Sequence, residues 1–337
     1  MPSVGWFRMS EPLVKVEELR KWFPVRRGLA DALRRRSSLF LKAVDGVSFD
    51  VMEREVFCLA GESGCGKTTT GRLLLRLEEP TGGAVFFEGK NIFSLEDEEL
   101  KEFRRKAQIV FQDPYESLNP AMKIVDIVTE PLAIHGLLDG KDDKMEQAAK
   151  ALEEVALTPP ENFLFRYPHE LSGGQRQRVA IARAIVLKPK FIVADEPVSM
   201  LDVSIRAGIL KLLLDIREKY GIAYLFITHD LALAKHIGDR IAIMYLGKIA
   251  EMGGAERVID NPMHPYTRAL VAAIPSPDPR EKIGAIPIVG EISSPINPPS
   301  GCRFHPRCPY ATDVCKSEEP KLVEVEKNHY AACHLYH

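Results

Sequence analysis

Eight consecutive residues, Gly61-Glu62-Ser63-Gly64-Cys65-Gly66-Lys67-Thr68, followed by Thr69, concentrate more chemistry than any other stretch of the chain. A glycine, four residues and then Gly-Lys-Thr form the pattern of a phosphate-binding loop. Glycines at 61, 64 and 66 let the backbone curl so that successive N–H groups face one anion, and a following helix adds its partial positive charge. Lys67 is then placed to reach terminal phosphates and Thr68 to hold a magnesium ion. Further on, Phe191-Ile192-Val193-Ala194-Asp195-Glu196 is an apolar run capped by two acids. Carboxylates at the end of a buried strand beside a phosphate loop suit magnesium binding and the activation of water. Tyr224-Leu225-Phe226-Ile227-Thr228 repeats the pattern and ends at His229-Asp230, where open α/β sheets place their ligands. Leu171-Ser172-Gly173-Gly174-Gln175 opens a helical stretch with two glycines, a second anion-ready N-terminus.

These groups need strands and helices to hold them. Val56–Ala60 reads as a buried strand before the loop, and Thr68–Arg76 has helical spacing after it. Val14–Glu17 alternates like an edge strand and leads into Trp22, Phe23 and Pro24. Val44–Val51, Ala84–Phe87 and Gln108–Phe111 read as further strands, and Leu95–Arg105 as a charged helix. Gln112 ends one of these strands just before Asp113-Pro114. Residues of about 113–170 show apolar helical spacing and no strong strand, which predicts a helical insert within an α/β domain. A basic insert, 26–42, contains Arg34-Arg35-Arg36; it reads either as a solvated surface segment or as a contact with headgroups or a partner.

At 337 residues the chain has room for two domains. Hydrophobic content of 45% with 27% charged residues is that of a globular protein with a full core. A formal charge of −2 argues against bulk nucleic-acid binding, which needs an excess of lysine and arginine. No apolar run approaches the roughly 20 residues that span a bilayer. The first residues lack an apolar leader core, so the expected location is the cytosol, with any membrane role arising through a partner.

Taken in order, these motifs closely resemble the ATP-binding subunit of ABC transporters over roughly 13–255. Gly61–Thr69 matches Walker A, Gln112 the Q-loop, Leu171–Gln175 the family signature, and Asp195 with Glu196 Walker B and its catalytic glutamate. Ser199-Met200-Leu201-Asp202 matches the D-loop, with Met200 where alanine is commoner, and His229 matches the switch histidine. A phosphate loop alone leaves kinases and GTPases open; the Leu-Ser-Gly-Gly-Gln signature excludes them. Asn261–Arg268, Phe111–Pro120 and the insert between Phe23 and Ala43 look like the dipeptide and oligopeptide importer ATPases, a subfamily shared with nickel and some sugar importers. The resemblance implies an ABC-type P-loop NTPase core with a mixed sheet, a helical subdomain at about 113–175, and a small irregular Cys-rich extension, 256–337.

It also implies ATP and Mg²⁺ as ligands, held between two head-to-tail subunits. Gly61, Glu62, Ser63, Gly64, Cys65, Gly66, Lys67, Thr68 and Thr69 would cradle the phosphates. Phe23, with Trp22 as its rival, would stack on adenine. Thr68, Gln112 and Asp195 would surround Mg²⁺, and Glu196, Gln112 and His229 would carry the hydrolysis. Ser172, Gly173, Gly174, Gln175 and Asp202 would serve the nucleotide across the interface. The partners implied are two transmembrane permease subunits, a second related ATPase making a heterodimer, and indirectly a solute-binding protein, with the chain on the cytoplasmic face of the membrane. A soluble ABC ATPase acting on nucleic acid or ribosomes is the rival reading; one cassette, a short insert and near-neutral charge speak against it.

Cys302, Cys308, Cys315 and Cys333 fall among prolines 298, 299, 306 and 309, in a region too short for its own core. In a reducing compartment four thiolates suit an iron–sulfur cluster or tetrahedral zinc, or remain unligated. The paired knuckles usual in structural zinc sites are missing, and His305, His329, His334 and His337 lie near as substitutes. The resemblance implies a [4Fe–4S] cluster with a structural duty. Because the phosphate loop is expected in another domain, ATP binding is expected to survive its loss at least in part.

Overall fold

The computed structural model describes residues 11–25, 39–274, 288–290 and 293–336; most of the basic insert, and His337, lie outside them. The strands are β1 (Val14–Pro24), β2 (Phe40–Val51), β3 (Val56–Ala60), β4 (Gly82–Phe87), β5 (Lys90–Asn91), β6 (Ala107–Val110), β7 (Phe191–Asp195), β8 (Ala223–Thr228), β9 (Arg240–Tyr245), β10 (Lys248–Gly254), β11 (Val323–Glu326) and β12 (His329–Ala331). They form two sheets. One has four strands in the order β2-β1-β4-β5, and the other has eight in the order β11-β12-β10-β9-β3-β8-β7-β6. Pairings from β6 through β9 are parallel, and those of β9–β10, β10–β12 and β11–β12 are antiparallel. The fold is α/β with a mixed sheet, as the motif order implied.

The apolar runs are buried because the larger sheet is covered on both faces, the usual setting of parallel strands. Side chains alternate across it. Phe57 and Leu59 of β3 pack with Val14, Val16, Val47 and Phe49 into the core between the two sheets. Val56, Cys58 and Ala60 face the other core, built with the helical insert. On the first face helix α1 (Lys67–Leu74) lies so close to the sheet that a Cβ on Gly71 would meet Ile227 and Val193 at 2.9 Å.

Helix α2 (Asp97–Lys106) keeps three acids in its first turn and three bases in its last, matching the helix dipole. In the helical region, α3 (Ile124–Ile134), α4 (Gly140–Glu154) and α5 (Gly173–Ile185) bury Ile127, Val128, Ala148, Leu152, Val179 and Ile181 together. Helix α5 begins at Gly173, inside the signature, three residues before the helical spacing becomes readable. Then come α6 (Val203–Tyr220), α7 (Leu231–Ile237), α8 (Ala255–Asp260) and α9 (Pro265–Ala272). Among the described residues no helix is long and apolar enough to cross a membrane.

The C-terminal residues do not stand apart. Strand β12 pairs with β10, so the large sheet is completed by residues more than 75 positions further on, Met252 facing Tyr330. A fully buried carboxylate fastens this edge. Glu251 of β10 accepts from the backbone N–H groups of Met263 and His264, both at 2.8 Å, and lies 2.7 Å from His329 Nε2. His264 is itself buried, and its Nδ1 accepts the N–H of Tyr266 at the start of α9.

Burial pushes the His264 imidazole down from 6.5 to about 4; nearby Glu251 and a hydrogen bond to the Ala332 backbone oppose this, and Arg268 reinforces it. A histidine held neutral in the fold contributes stability that is full above its unfolded pKa and lost as pH falls toward the folded one. Urea unfolding of the wild type, compared with His264→Asn, is therefore expected to show an extra loss of about 2 kcal/mol between pH 7 and pH 5. Parallel pH dependence in the two proteins would contradict the buried neutral state.

Candidate active site

The phosphate loop takes its shape from three contacts that glycine alone permits or that lysine makes. Gly61 has φ near 149°, and a Cβ there would lie 2.2 Å from the Met244 carbonyl oxygen. Gly66 has φ near 109°, and its Cβ would lie 2.0 Å from the Ala43 carbonyl oxygen. Both positions thus combine a left-handed backbone with direct backbone contact, which L-residues with side chains do not tolerate. Gly64, by contrast, has no atom within 4 Å of where a Cβ would stand. The Lys67 ammonium sits inside the coil and donates to the carbonyls of Gly61 at 2.8 Å and Glu62 at 3.0 Å. The Gly247 N–H donates to the Cys65 carbonyl at 2.8 Å and ties the loop to the β9–β10 turn.

The predicted acid–base residues meet at the ends of β7 and β8. Thr68 Oγ1 donates to Asp195 Oδ1 at 3.1 Å, joining the loop to the Walker B strand. Burial pushes the Asp195 carboxyl up, against the Thr68 hydrogen bond, and neighbouring Glu196 pushes it the same way. A divalent cation at Asp195 and Thr68 would supply the compensating positive charge. Glu196 Oε2 accepts from Gln112 Nε2 at 3.3 Å and lies 3.0 Å from His229 Nδ1. Its backbone is left-handed, φ near 45°, a conformation rare outside glycine. Glu196 N–H donates to the Ile227 carbonyl of β8, which holds the turn in place. Strain of this kind concentrates at functional sites, and no residue pattern announces it.

The signature opens α5 in the helical region. Ser172 caps α5 by accepting the Gln175 N–H, while the Gln175 side chain accepts the Ser172 N–H at 3.0 Å. Gly174 is needed here for packing: a Cβ on it would meet Ile205 Cγ2 at 2.7 Å, so the signature packs directly on the helix after the D-loop. Asp202 stands exposed at the start of α6. Buried Arg176 donates to the carbonyl of Pro168 at 2.5 Å and lies 3.9 Å above the ring of Tyr115, linking the signature helix to the segment after Gln112.

Of the two adjacent aromatics, Trp22 is the more engaged. Its indole N–H donates to Asp45 at 2.9 Å, and Lys42 lies 4.4 Å over its ring. Phe23 is half-buried, with Lys21 4.9 Å over the ring. Four further side chains were not legible as part of the site. Arg307 forms a two-pronged ion pair with Glu62, at 2.8 and 3.0 Å. The Tyr266 hydroxyl accepts the Glu62 N–H at 3.0 Å. Arg303 bonds both Asp45 and the Leu246 carbonyl. Tyr266 lay within the quoted importer-like stretch; for the two arginines and Asp45 the sequence carried no signal, since their partners are 57 to 258 positions away.

Cys302, Cys308, Cys315 and Cys333 carry no disulfide and line one small cavity of about 60 Å³ together with Phe304, His305 and His334. Burial pushes Cys302 up to about 11, and the sulfurs of Cys333, Cys315 and Cys308 push in the same direction. Yet among the described residues no group of three or more His, Cys, Asp or Glu side chains is arranged to hold a metal ion. The expected [4Fe–4S] cluster, and zinc in its place, are therefore not supported by this side-chain arrangement, although the four thiols share one cavity.

Fold and site together define an ATP-binding cassette ATPase. Residues 44–199 match the ABC transporter family, and residues 250–315 match the oligopeptide/dipeptide transporter C-terminal region. A probable peptide ABC transporter ATP-binding protein of Sinorhizobium fredii is 48% identical over 327 residues, covering 97% of this chain and 91% of the relative. An oligopeptide transport ATP-binding protein of Bacillus subtilis is 45% identical over 330 residues, covering 97% and 98%. Among solved structures, a dimeric ATP-binding cassette in a post-hydrolysis state bound to ADP and Pi superimposes with a TM-score of 0.61 at 29% identity, covering 72% of this chain and 98% of that one. The chain belongs to the oligopeptide/dipeptide family of ABC transporter ATP-binding proteins.

Gly66→Ala is expected to abolish measurable ATP binding by calorimetry and to lower stability by about 1–3 kcal/mol, the cost of forcing a side chain into such backbone. Normal affinity in this variant would mean that the loop adopts another shape.

Proposed function

We propose that this chain is the ATP-hydrolysing subunit that drives import of dipeptides or oligopeptides through a membrane ABC transporter. The observation that carries the reading is Glu196 held between Gln112 and His229 beside the Thr68–Asp195 pair. Residues 13–255 form the ATPase unit in this reading, with the helical subdomain at about 113–175, and 256–337 form the extension. The peptide cargo is supported by the C-terminal region match and by relatives named for peptide transport, which do not favour nickel or oligosaccharide.

The loop N–H groups and Lys67 would neutralise the β- and γ-phosphates, with Phe23 against the adenine. Thr68, Asp195 and Gln112 would hold Mg²⁺, which supplies positive charge to the developing phosphoryl oxygens. Glu196 accepts the proton of the attacking water, and His229 holds both that carboxylate and the γ-phosphate. Ser172 to Gln175 of a second subunit would complete the site, since this chain's own signature caps α5 and packs against Ile205 of α6. Gln112 and Tyr115 then transmit the state of the nucleotide to the helical region and through it to two permease subunits. Such a chain works peripherally on the cytoplasmic face, paired with a related ATPase and fed by a solute-binding protein.

Glu196→Gln in the assembled transporter is expected to keep ATP binding and to slow hydrolysis at least ~100-fold, the scale of a positioned base. Near-normal turnover would remove Glu196 from the role.

The four cysteines are read as the ligand set of the extension, with [4Fe–4S] the expected occupant and Zn²⁺ the alternative. The reading rests on the resemblance and on four disulfide-free sulfurs lining one cavity; the side chains as placed form no metal-holding group among the described residues. Anaerobically purified protein is then expected to be brown and to contain about four iron and four sulfide per chain. One zinc per chain would replace the cluster, and metal-free protein would end the metal reading.

A further inference from the structure

The first variable residue of the phosphate loop is an acid. Glu62 follows Gly61 directly, and its carboxylate has the sign of the triphosphate that the loop must hold. An uncompensated carboxylate near several phosphate charges opposes their binding at low effective dielectric. Compensation comes from the other end of the chain. Arg307, 245 positions away, sets both terminal nitrogens against the two Glu62 oxygens, with its own side chain 7% exposed and that of Glu62 23% exposed. Planar, two-pronged pairing of this kind fixes orientation as well as charge.

The rest of the peptide is held as firmly. The Glu62 N–H donates to the hydroxyl of Tyr266, which is fully buried, and its carbonyl accepts from Lys67. Arg307 is supported from below by an aromatic stack: Tyr245 and Phe304 lie with ring centroids 5.4 Å apart at 90°, and Tyr266 contacts both. Its guanidinium carbon is 5.7 Å from the Tyr245 ring and 5.8 Å from that of Phe304. Glu62 is thus gripped at N–H, carbonyl and side chain, and two of the three grips come from the C-terminal extension.

We propose that Arg307 is a positioning residue for nucleotide binding: acting through Glu62, it neutralises and orients the phosphate loop so that ATP binds. This rests on the ATP-binding reading of the loop. It also revises the expectation that the loop is independent of the cysteine-bearing region, because Arg303 and Arg307 lie between Cys302 and Cys308 and both reach the nucleotide-binding half.

The test is a double-mutant cycle on the full chain, with Mg-ATP affinity read by calorimetry and KM and kcat measured in the assembled transporter. Arg307→Gln is expected to weaken ATP binding and raise KM about tenfold, with kcat within about twofold, because one nearby compensating charge is lost. Glu62→Gln removes the carboxylate that Arg307 holds and is expected to shift ATP affinity toward tighter binding. The double variant should recover to within about threefold of wild type, and Arg307→Lys should recover part of the loss. Should Arg307→Gln fold poorly, Glu62→Gln and the double variant still decide: equal affinities support the coupling through Glu62. Unchanged affinity in Arg307→Gln overturns the proposal. So does a double variant as weak as the single one, which would make Arg307 a packing residue. A wild-type chain that binds no ATP would instead sink the ATP-binding reading itself.

Discussion

A loop that grips phosphate through backbone N–H groups has to be shaped from outside, because its glycines bring no side chains with which to shape it. In this chain the outside is backbone. The carbonyl oxygens of Ala43 and Met244 press against Gly66 and Gly61 so closely that no Cβ fits, and Gly247 anchors the carbonyl of Cys65. Those three contact residues come from β2, from β9 and from the turn beyond it. The arrangement of both sheets is therefore a precondition for one eight-residue curl. Burial of Phe57 and Leu59 between the sheets, and of Val56 and Cys58 on the far face, keeps β3 in the register that delivers Gly61 to that spot.

The cluster at the ends of β6, β7 and β8 follows a different logic. Glu196 does not stand free in the cleft. It is set in a left-handed turn, tied through its backbone to β8, and spanned by Gln112 on one side and His229 on the other. Each of those partners sits at the C-terminal end of its own strand or just beyond, so the parallel order β6-β7-β8 brings Gln112, Glu196 and His229 side by side. The signature is packed against α6 through Gly174 and Ile205.

How much of this was legible depended on sequence distance. The phosphate loop, the paired acids, the switch histidine and the signature are local patterns, and local patterns survive in a linear text. Strand β1 was read only as far as Glu17, although it runs to Pro24 through bulges that break the alternation. Strands β11 and β12 have four and three residues, too few to show a period, and their place on the β10 edge could not be read. The pairing of Glu62 with Arg307 and of Asp45 with Arg303 was hidden for the same reason: nothing in a basic residue near a cysteine says which acid, over 240 positions earlier, it will meet. The four cysteines were counted correctly as neighbours, but count and spacing do not fix sulfur geometry.

Because β12 completes the sheet and Arg307 reaches back to Glu62, the order of synthesis matters to this chain. Every nucleotide motif, from Gly61 to His229, leaves the ribosome before the residues that brace the phosphate loop exist. A nascent or prematurely terminated chain carries the full set of motifs with a bare carboxylate in its phosphate loop and an open edge on β10. The braced loop is reached only when translation has passed Arg307, and the edge closes only after Ala331. A chain stopped before Arg307 thus keeps every nucleotide motif but lacks both the brace on Glu62 and the strand that covers the β10 edge.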